Sequence, residues 1–338
     1  MASMKDVADL AGVSVSTVSR VISGRIPVDQ STAERVQEAI DTLDFRPNLL
    51  ASGLRSKSGK LIGLVVPGIY EPFSSIIGLL ERHAMRHGYS VLVGNSRSQV
   101  AVEERFVDNL LRRHVDGIIF TPIAHQTPVM SHLLDSDIPV VWFDRVSEDK
   151  RVLSVRLNNE KAGYLAARHF LDHHHERIAV LTGPQTVDLS HHRLRGFQLA
   201  LQEAGISVAA DEIYEGDFTF QSGIATAHRI VSLYDPPSAV WAQNDLMAIG
   251  LLKGFAEAGV TVPQDISIIG MDGISFTDMV FPGLTTVEQP LDTMCRTAIS
   301  KVLKYRSYLE NNQLHTIFEP ELRVRGSVRT LQEEYIYD

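Results

Sequence analysis

The stretch MKDVADLAGVSVSTVSRVIS, residues 4–23, decides how the amino-terminal part folds. It concentrates short hydroxyl side chains where a helix is expected, although Ser and Thr are mediocre helix formers. Ser3 is a candidate N-cap, with Asp6 three residues on, for a helix ending near Ala11 that has Val7, Ala8 and Ala11 on one face. Gly12 supplies a turn, and Ser14 is placed to cap a second helix over about 15–22. The apolar stripe of that helix, Val18, Val21 and Ile22, falls at helical spacing and can pack on Val7, Ala8 and Val13. Its opposite face carries Val15, Ser16, Ser19, Arg20 and Ser23. A third helix is expected to open with a Ser31–Glu34 capping box and to bury Val36, Ile40 and Leu43.

Short hydroxyls reach phosphate oxygens and base edges at close range. A helix-turn-helix points the amino-terminal end of its second helix into the major groove. That geometry puts Val15 and Ser16 against base edges, and Arg20, a turn further on, against a guanine edge or a phosphate. Spacing alone equally fits a small helical subdomain with a soluble Ser-rich face.

The full chain of 338 residues carries a net charge of −9, which argues against a globally basic nucleic-acid binder. The charge is uneven: residues 1–60 hold eight Lys/Arg and seven Asp/Glu, and from Arg46 to Lys60 there are four basic residues and no acid. The single cysteine, Cys295, rules out an intrachain disulfide and fits a reducing cytosol. The amino terminus lacks an apolar run suited to a signal peptide, and no segment approaches the ~20 apolar residues of a membrane span. The expectation is a cytoplasmic protein.

From about residue 61, β-rich apolar runs (LIGLVV, YSVLVG, DGIIFT, IPVVWF, RIAVLTG, AVWAQ, ISIIGMD) alternate with helical stretches. This is the spacing of βαβ units, and near-continuous apolar strands belong to parallel sheets covered on both faces. The fold class is therefore α/β and doubly wound, with too many units for one sheet and two lobes as the solution. No GxGxxG, Walker loop, GxSxG or HExxH motif is present, so no cofactor, no metal and no enzyme activity is expected. The HHH run at 173–175 sits at a helix end, where imidazoles are favourable beside free carbonyls.

Ligands of open α/β sheets bind beyond the carboxyl ends of the strands. The polar residues there are Thr121, Asp144, Arg145, Asn244, Asp245 and Asp272, with Arg193 early in a helix, Gln289 after LTTVE, and Phe73 and Phe218 in loops or at helix starts near the same edge. Carboxylates and guanidiniums that take paired hydroxyls, with aromatics on C–H faces, suit a sugar. Taken singly, each has a plainer role: Asp144, Asp245 and Asp272 as helix caps, the arginines as solvated charges, the phenylalanines as core.

The opening stretch together with RPNLLASGLRSKSGKLIGLVVP, and then nearly the whole chain, resembles the LacI/GalR family of bacterial repressors. The resemblance implies a headpiece over 1–47, a hinge helix and linker over 48–60, and a two-lobed core resembling periplasmic sugar-binding proteins over 61–338. Its N-lobe would span about 61–159 and 290–320, and its C-lobe about 160–289 and 321–338. It implies DNA contacts from Ser14, Val15, Ser16, Thr17, Ser19, Arg20, Arg25, Asn48, Leu54 and Arg55, with Leu54 wedged into the minor groove. Two departures bear on the hinge: Gly53 stands where serine is usual, and Ser52 where arginine is common. The implied effector contacts are Phe73, Thr121, Asp144, Arg145, Arg193, Phe218, Asn244, Asp272 and Gln289. Asp144, Arg145 and Asn244 resemble pentose binders in particular. YEPF replaces the common NPF, which puts Glu71 in place of Asn, and NN at 158–159 replaces DN.

The function expected is a ligand-responsive repressor on a palindromic operator, with a sugar-like effector. The rival readings are a sugar-binding transport module and a sugar-modifying enzyme. A homodimer is expected, paired through the helix carrying Ile76, Ile77 and Leu80 and the helix from Leu246 to Phe255. The segment after Ser327 is too short for the three to four heptads that assemble a coiled coil.

Overall fold

Ser3 and Gly12 bound the first helix by opposite means. Asp6 N–H donates to Ser3 Oγ at 3.3 Å while Ser3 N–H donates to the Asp6 carboxylate at 2.7 Å, and Gly12 ends the helix in the left-handed conformation at φ 66°. In this computed structural model the described residues are 2–23, 27–45, 59–122, 128–136, 138–145 and 149–331. Arg25, Asn48, Ser52, Gly53, Leu54 and Arg55 lie outside them.

Two compact units divide at residue 61. The first holds α1 (Met4–Ala11), α2 (Val15–Ser23) and α3 (Gln30–Thr42) around Val7, Ala8, Ala11, Val18, Val36, Ala39 and Phe45. Ser14 caps α2, accepting from Thr17 N–H at 3.2 Å. The start of α3 differs from the expectation: Asp29 is the cap, accepting from Thr32 N–H at 2.9 Å, and Ser31 donates its hydroxyl to Asp29. A carboxylate two residues earlier takes the cap in place of the serine, and Glu34 is engaged by Gln30 instead.

The second unit contains two six-stranded sheets. The first, ordered β11-β5-β4-β3-β1-β2, uses β1 (Leu61–Val66), β2 (Ser90–Asn95), β3 (Gly117–Phe120), β4 (Val140–Phe143), β5 (Leu153–Leu157) and β11 (His315–Phe318). The second, ordered β12-β10-β9-β8-β6-β7, uses β6 (Ile178–Thr182), β7 (Ile213–Glu215), β8 (Ala239–Ala242), β9 (Ser267–Asp272), β10 (Thr285–Glu288) and β12 (Glu321–Arg323). The registered pairs are parallel except β10 with β12. The chain passes between the sheets after β5, after β10 and again between β11 and β12. Strands β3, β4, β6, β8 and β9 are buried throughout, as parallel strands covered on both faces must be.

The helices of this unit are α4 (Phe73–Met85), α5 (Val100–Arg112), α6 (Pro128–Asp135), α7 (Asn159–Asp172), α8 (Asp188–Glu203), α9 (Phe220–Val231), α10 (Asp245–Glu257), α11 (Leu291–Leu303) and α12 (Tyr305–Glu310). Two helix pairs touch backbone to backbone through glycine. A Cβ on Gly163 of α7 would lie 1.9 Å from the Arg193 carbonyl of α8, and one on Gly196 would lie 1.8 Å from that of Glu160. Gly223 of α9 and Gly250 of α10 do the same for the second pair. Among the described residues no helix is long and apolar enough to cross a membrane.

The helices expected at a dimer surface turn much of their apolar content inward. Ile76 and Leu80 of α4 and Met247, Ala248, Leu251 and Phe255 of α10 belong to the core, because both helices cover sheet faces. Ile77 is half-buried.

A Cβ at Gly223 would lie 2.1 Å from the Met247 carbonyl, whereas one at Gly78 meets nothing within 4 Å. Gly223→Ala is expected to lower the thermal midpoint through overpacking worth about 1–3 kcal/mol. Gly78→Ala is expected to match or exceed the parent, since alanine is favoured over glycine in a helix interior by about 0.5–1 kcal/mol. Thermal unfolding of both variants checks this.

Candidate effector cavity and nucleic-acid face

A cavity of about 500 Å³ opens where strands of the two sheets end. Of the residues expected there, Phe73, Asp144, Arg145, Arg193, Phe218, Asn244, Asp272 and Gln289 line it. Thr121 does not: it is 2 % exposed, and its N–H continues the parallel ladder by donating to Val65 O at 3.0 Å. The lining starts one residue later, at Pro122. The cavity also takes Tyr70, Glu71, Phe143 and Asp217, which were absent from the expected contacts. Glu71 was visible in the sequence only as a departure from NPF.

Arg193 is the most heavily tied side chain. It is 3 % exposed; its Nε donates to Asn159 Oδ1 at 2.9 Å, Nη1 donates to the Gln243 carbonyl, and Nη2 stands 3.5 Å from Asp272 Oδ1. Gln289 Nε2 donates to the same carboxylate oxygen at 2.7 Å. Asp245 secures the backbone behind this pair. Its Oδ2 accepts from Gly273 and Ile274 N–H at 2.7 and 2.9 Å, and its Oδ1 accepts from the Thr286 hydroxyl. Asp245 is thus no helix cap; Asn244 is, accepting from Met247 N–H at 2.9 Å while donating to Phe218 O at 2.9 Å. With both ends of its amide engaged, Asn244 acts mainly to place Phe218.

Three cavity residues adopt positive φ without being glycine: Asp144 at 56°, Phe218 at 66° and Asp272 at 115°. Such conformations cost on the order of 1–3 kcal/mol each and persist only where the surroundings impose them. Gly183 makes room for one of them, since a Cβ there would lie 1.9 Å from Phe218 Cζ. Asp144 and Arg145 form an adjacent pair 3.9 Å apart, and Arg145 Nη1 donates to the Asp144 carbonyl at 2.8 Å. Burial pulls the Arg145 pKa below its usual value, and Asp144 opposes that shift. Burial likewise raises Asp272 to about 6, with Arg193 and Gln289 opposing and Asp144 and Glu71 adding to the rise.

The histidine runs hold no metal cluster among the described residues. His175 is buried between the Ser238 hydroxyl, at 2.8 Å, and the Arg329 carbonyl, at 3.0 Å, and burial lowers its pKa to about 4. Its place is set by the core, whereas His173 does meet the helix-end carbonyl of His169, at 2.7 Å.

On the first unit, Ser14, Val15, Ser16 and Arg20 are exposed on α2, with Thr17 and Ser19 half-buried. Ser14 Oγ lies 2.7 Å from Ser16 Oγ and 2.9 Å from Thr17 Oγ1. The hydroxyl cluster therefore caps the helix start, and the same start carries the exposed side chains that the third and first helices do not cover.

An α/β core with a cavity at its strand ends, preceded by a three-helix unit with an open helix face, is the architecture of a regulator of transcription. Residues 3–48 match the model for bacterial regulatory proteins of the lacI family, and residues 167–328 match a periplasmic binding protein-like domain. The HTH-type transcriptional repressor PurR of Photobacterium profundum is 34% identical over 98% of this chain and 100% of its own length. The HTH-type transcriptional repressor CytR of Escherichia coli K12 is 33% identical over 98% of this chain and 97% of its own. Among solved structures, the lac repressor dimer bound to operator and the anti-inducer ONPF superposes with a TM-score of 0.86 at 28% identity, covering 97% of this chain and 99% of that one. A LacI family regulator from Enterococcus faecium with bound ribose matches with a TM-score of 0.73 at 28% identity, over 80% of this chain and 100% of that one. The chain belongs to the LacI family of transcriptional regulators.

The Asp272 carboxyl sits above its ordinary value of 3.8, so the folded protein binds more protons than the unfolded chain between pH 3.8 and about 6. Its contribution to stability is present at low pH and is lost as pH rises through that window. His169 and His175, lowered from 6.5 to about 4, act with the opposite sign across much of the same range. The difference between wild type and Asp272→Asn cancels the histidines and reads Asp272 together with the rise it imposes on Asp245, which has the same sign: relative to the variant, wild type is expected to lose stability as pH rises from 4 to 6. Carboxyl-carbon NMR is expected to place the Asp272 midpoint near 6.

Proposed function

We propose that this regulator is a repressor that binds a palindromic operator as a homodimer and responds to a small polyhydroxylated effector held in the cavity of its core. It works in the cytoplasm, where the operator is. The observation that carries the reading is the set of buried, mutually bonded polar groups around Arg193 and Asp272, flanked by Phe73 and Phe218. Guanidinium and carboxylate suit paired hydroxyls, and aromatic walls suit the apolar faces of a sugar ring. The Enterococcus faecium neighbour described with ribose and a regulator described as a CelR–cellobiose complex support this choice. Ser14, Val15, Ser16, Thr17, Ser19 and Arg20 serve the DNA, and by the family resemblance Arg25, Asn48, Leu54 and Arg55 are assigned to it as well.

Homodimer formation follows from selectivity, since one recognition helix reads few base pairs and a two-fold pair doubles the contacts. The large apolar side chains left open on the core include Phe276, Met279 and Phe281, exposed by 45%, 75% and 99%, all within one loop. We assign this loop to the dimer surface, and the lac repressor crystallised as a dimer supports pairing.

Arg193→Ala is expected to abolish effector response with operator binding retained, and Arg20→Ala is expected to weaken and relax operator recognition by about 1–3 kcal/mol with effector binding retained. Calorimetry against sugars and gel shifts on palindromic DNA read the two halves separately. Unchanged binding to every operator variant by Arg20→Ala would remove that assignment. In sedimentation at micromolar concentration the protein is expected to run as a dimer, and Met279→Asp with Phe281→Asp as a monomer.

A further inference from the structure

Glu71 occupies the place in the cavity where an anion would otherwise find its donors. It directly precedes α4, whose N-cap is Pro72 with no side-chain cap. The open amino-terminal turn of a helix with hydroxyls beside it is a ready site for phosphate. Here the hydroxyls are already engaged: Ser74 donates to Glu71 Oε1 at 2.6 Å and Ser75 donates to the same oxygen at 3.0 Å. The carboxylate sits among the donors a phosphate would need.

The guanidiniums are engaged as well, Arg193 through all three nitrogens and Arg145 through Nη1 to its neighbour's carbonyl. Four carboxylates line the cavity, Glu71, Asp144, Asp217 and Asp272, against the two guanidiniums of Arg145 and Arg193. Among the described residues Glu71 Oε2 and Asp144 Oδ1 are buried without a hydrogen-bond partner. Such oxygens favour a ligand rich in O–H donors, because an unpaired buried acceptor carries its full desolvation penalty. A phosphate brings acceptors and negative charge to the same place, in surroundings where like charges are poorly screened.

We infer that Glu71 sets effector specificity, so that the cavity takes an uncharged polyhydroxylated ligand and rejects its phosphorylated counterpart. This rests on the reading of the cavity as the effector site. The ligand's hydroxyls donate to Glu71 and Asp144, and Glu71 acts as a built-in anion that closes the helix start to phosphate.

The test is calorimetry on the full chain, wild type and Glu71→Gln, with matched pairs: ribose and ribose 5-phosphate, glucose and glucose 6-phosphate, cytidine and adenosine with their monophosphates. In wild type at least one uncharged member is expected to bind, with its phosphorylated partner at least tenfold weaker. In Glu71→Gln, which keeps the shape and removes the charge, that discrimination is expected to shrink at least tenfold. A phosphorylated member that binds wild type as well as its uncharged partner overturns the inference and leaves the effector site standing. An unchanged discrimination in Glu71→Gln overturns the role of Glu71. If no member of any pair binds wild type, the effector reading falls and the inference with it. Thermal midpoints and gel shifts establish that the variant is folded and binds operator.

Discussion

The buried Arg193 guanidinium is the interaction on which the core's functional architecture depends. It joins three pieces of chain that are far apart in sequence: Asn159 at the passage out of the first sheet, the Gln243 carbonyl beyond β8, and Asp272 at the end of β9. A charge at this depth is tolerable only because each donor has a partner. Removing one partner leaves a desolvated cation, so the residues around it act as a group. The position itself requires the glycine contact between α7 and α8, because a methyl group on Gly163 would strike the Arg193 carbonyl.

Around that anchor the cavity is held in conformations the backbone does not favour. Asp144, Phe218 and Asp272 stand at positive φ, each at the carboxyl end of a strand or in a loop beside one. Strain of this kind is stored where surrounding contacts over-determine the geometry. Asp245 supplies such contacts for Asp272 by accepting two successive backbone N–H groups, and Asn244 supplies them for Phe218. Burial and the neighbouring Asp272 both raise the pKa of Asp245. The site is therefore acid-rich by construction, and its chemistry favours ligands that donate.

The headpiece works on a smaller scale by a similar economy of groups. Ser14 bonds to Ser16 and to Thr17 and closes the start of α2, while the apolar face of the helix packs through Val18. The hydroxyls that looked superfluous for a helix thus have a local task, and Val15 and Arg20 remain on the exposed side. One short stretch fixes the helix and leaves one of its faces open.

Periodicity in the sequence was enough to determine the three short helices, the α/β class and the division into two sheets, because helical stripes and unbroken apolar strands have few alternative ways to bury themselves. The rule that ligands bind beyond strand ends picked out polar residues there and the LacI resemblance reinforced the choice; most of them do gather at one cavity, with Thr121 and Asp245 outside its lining. What the sequence could not decide was direction and partnership. Thr121 turns into the ladder because its N–H completes a strand pairing. Asp29 in place of Ser31 caps α3, since two candidate caps two residues apart differ only in local geometry. The α4 and α10 stripes pack largely inward, and the large apolar side chains left open include Phe276, Met279 and Phe281. Glu71 was legible as a departure but its role was not, because that depends on Ser74 and Ser75 beside it and on Asp144 and Asp272 across the cavity. Such groupings come from chain segments far apart in sequence, and only the tertiary structure brings them together.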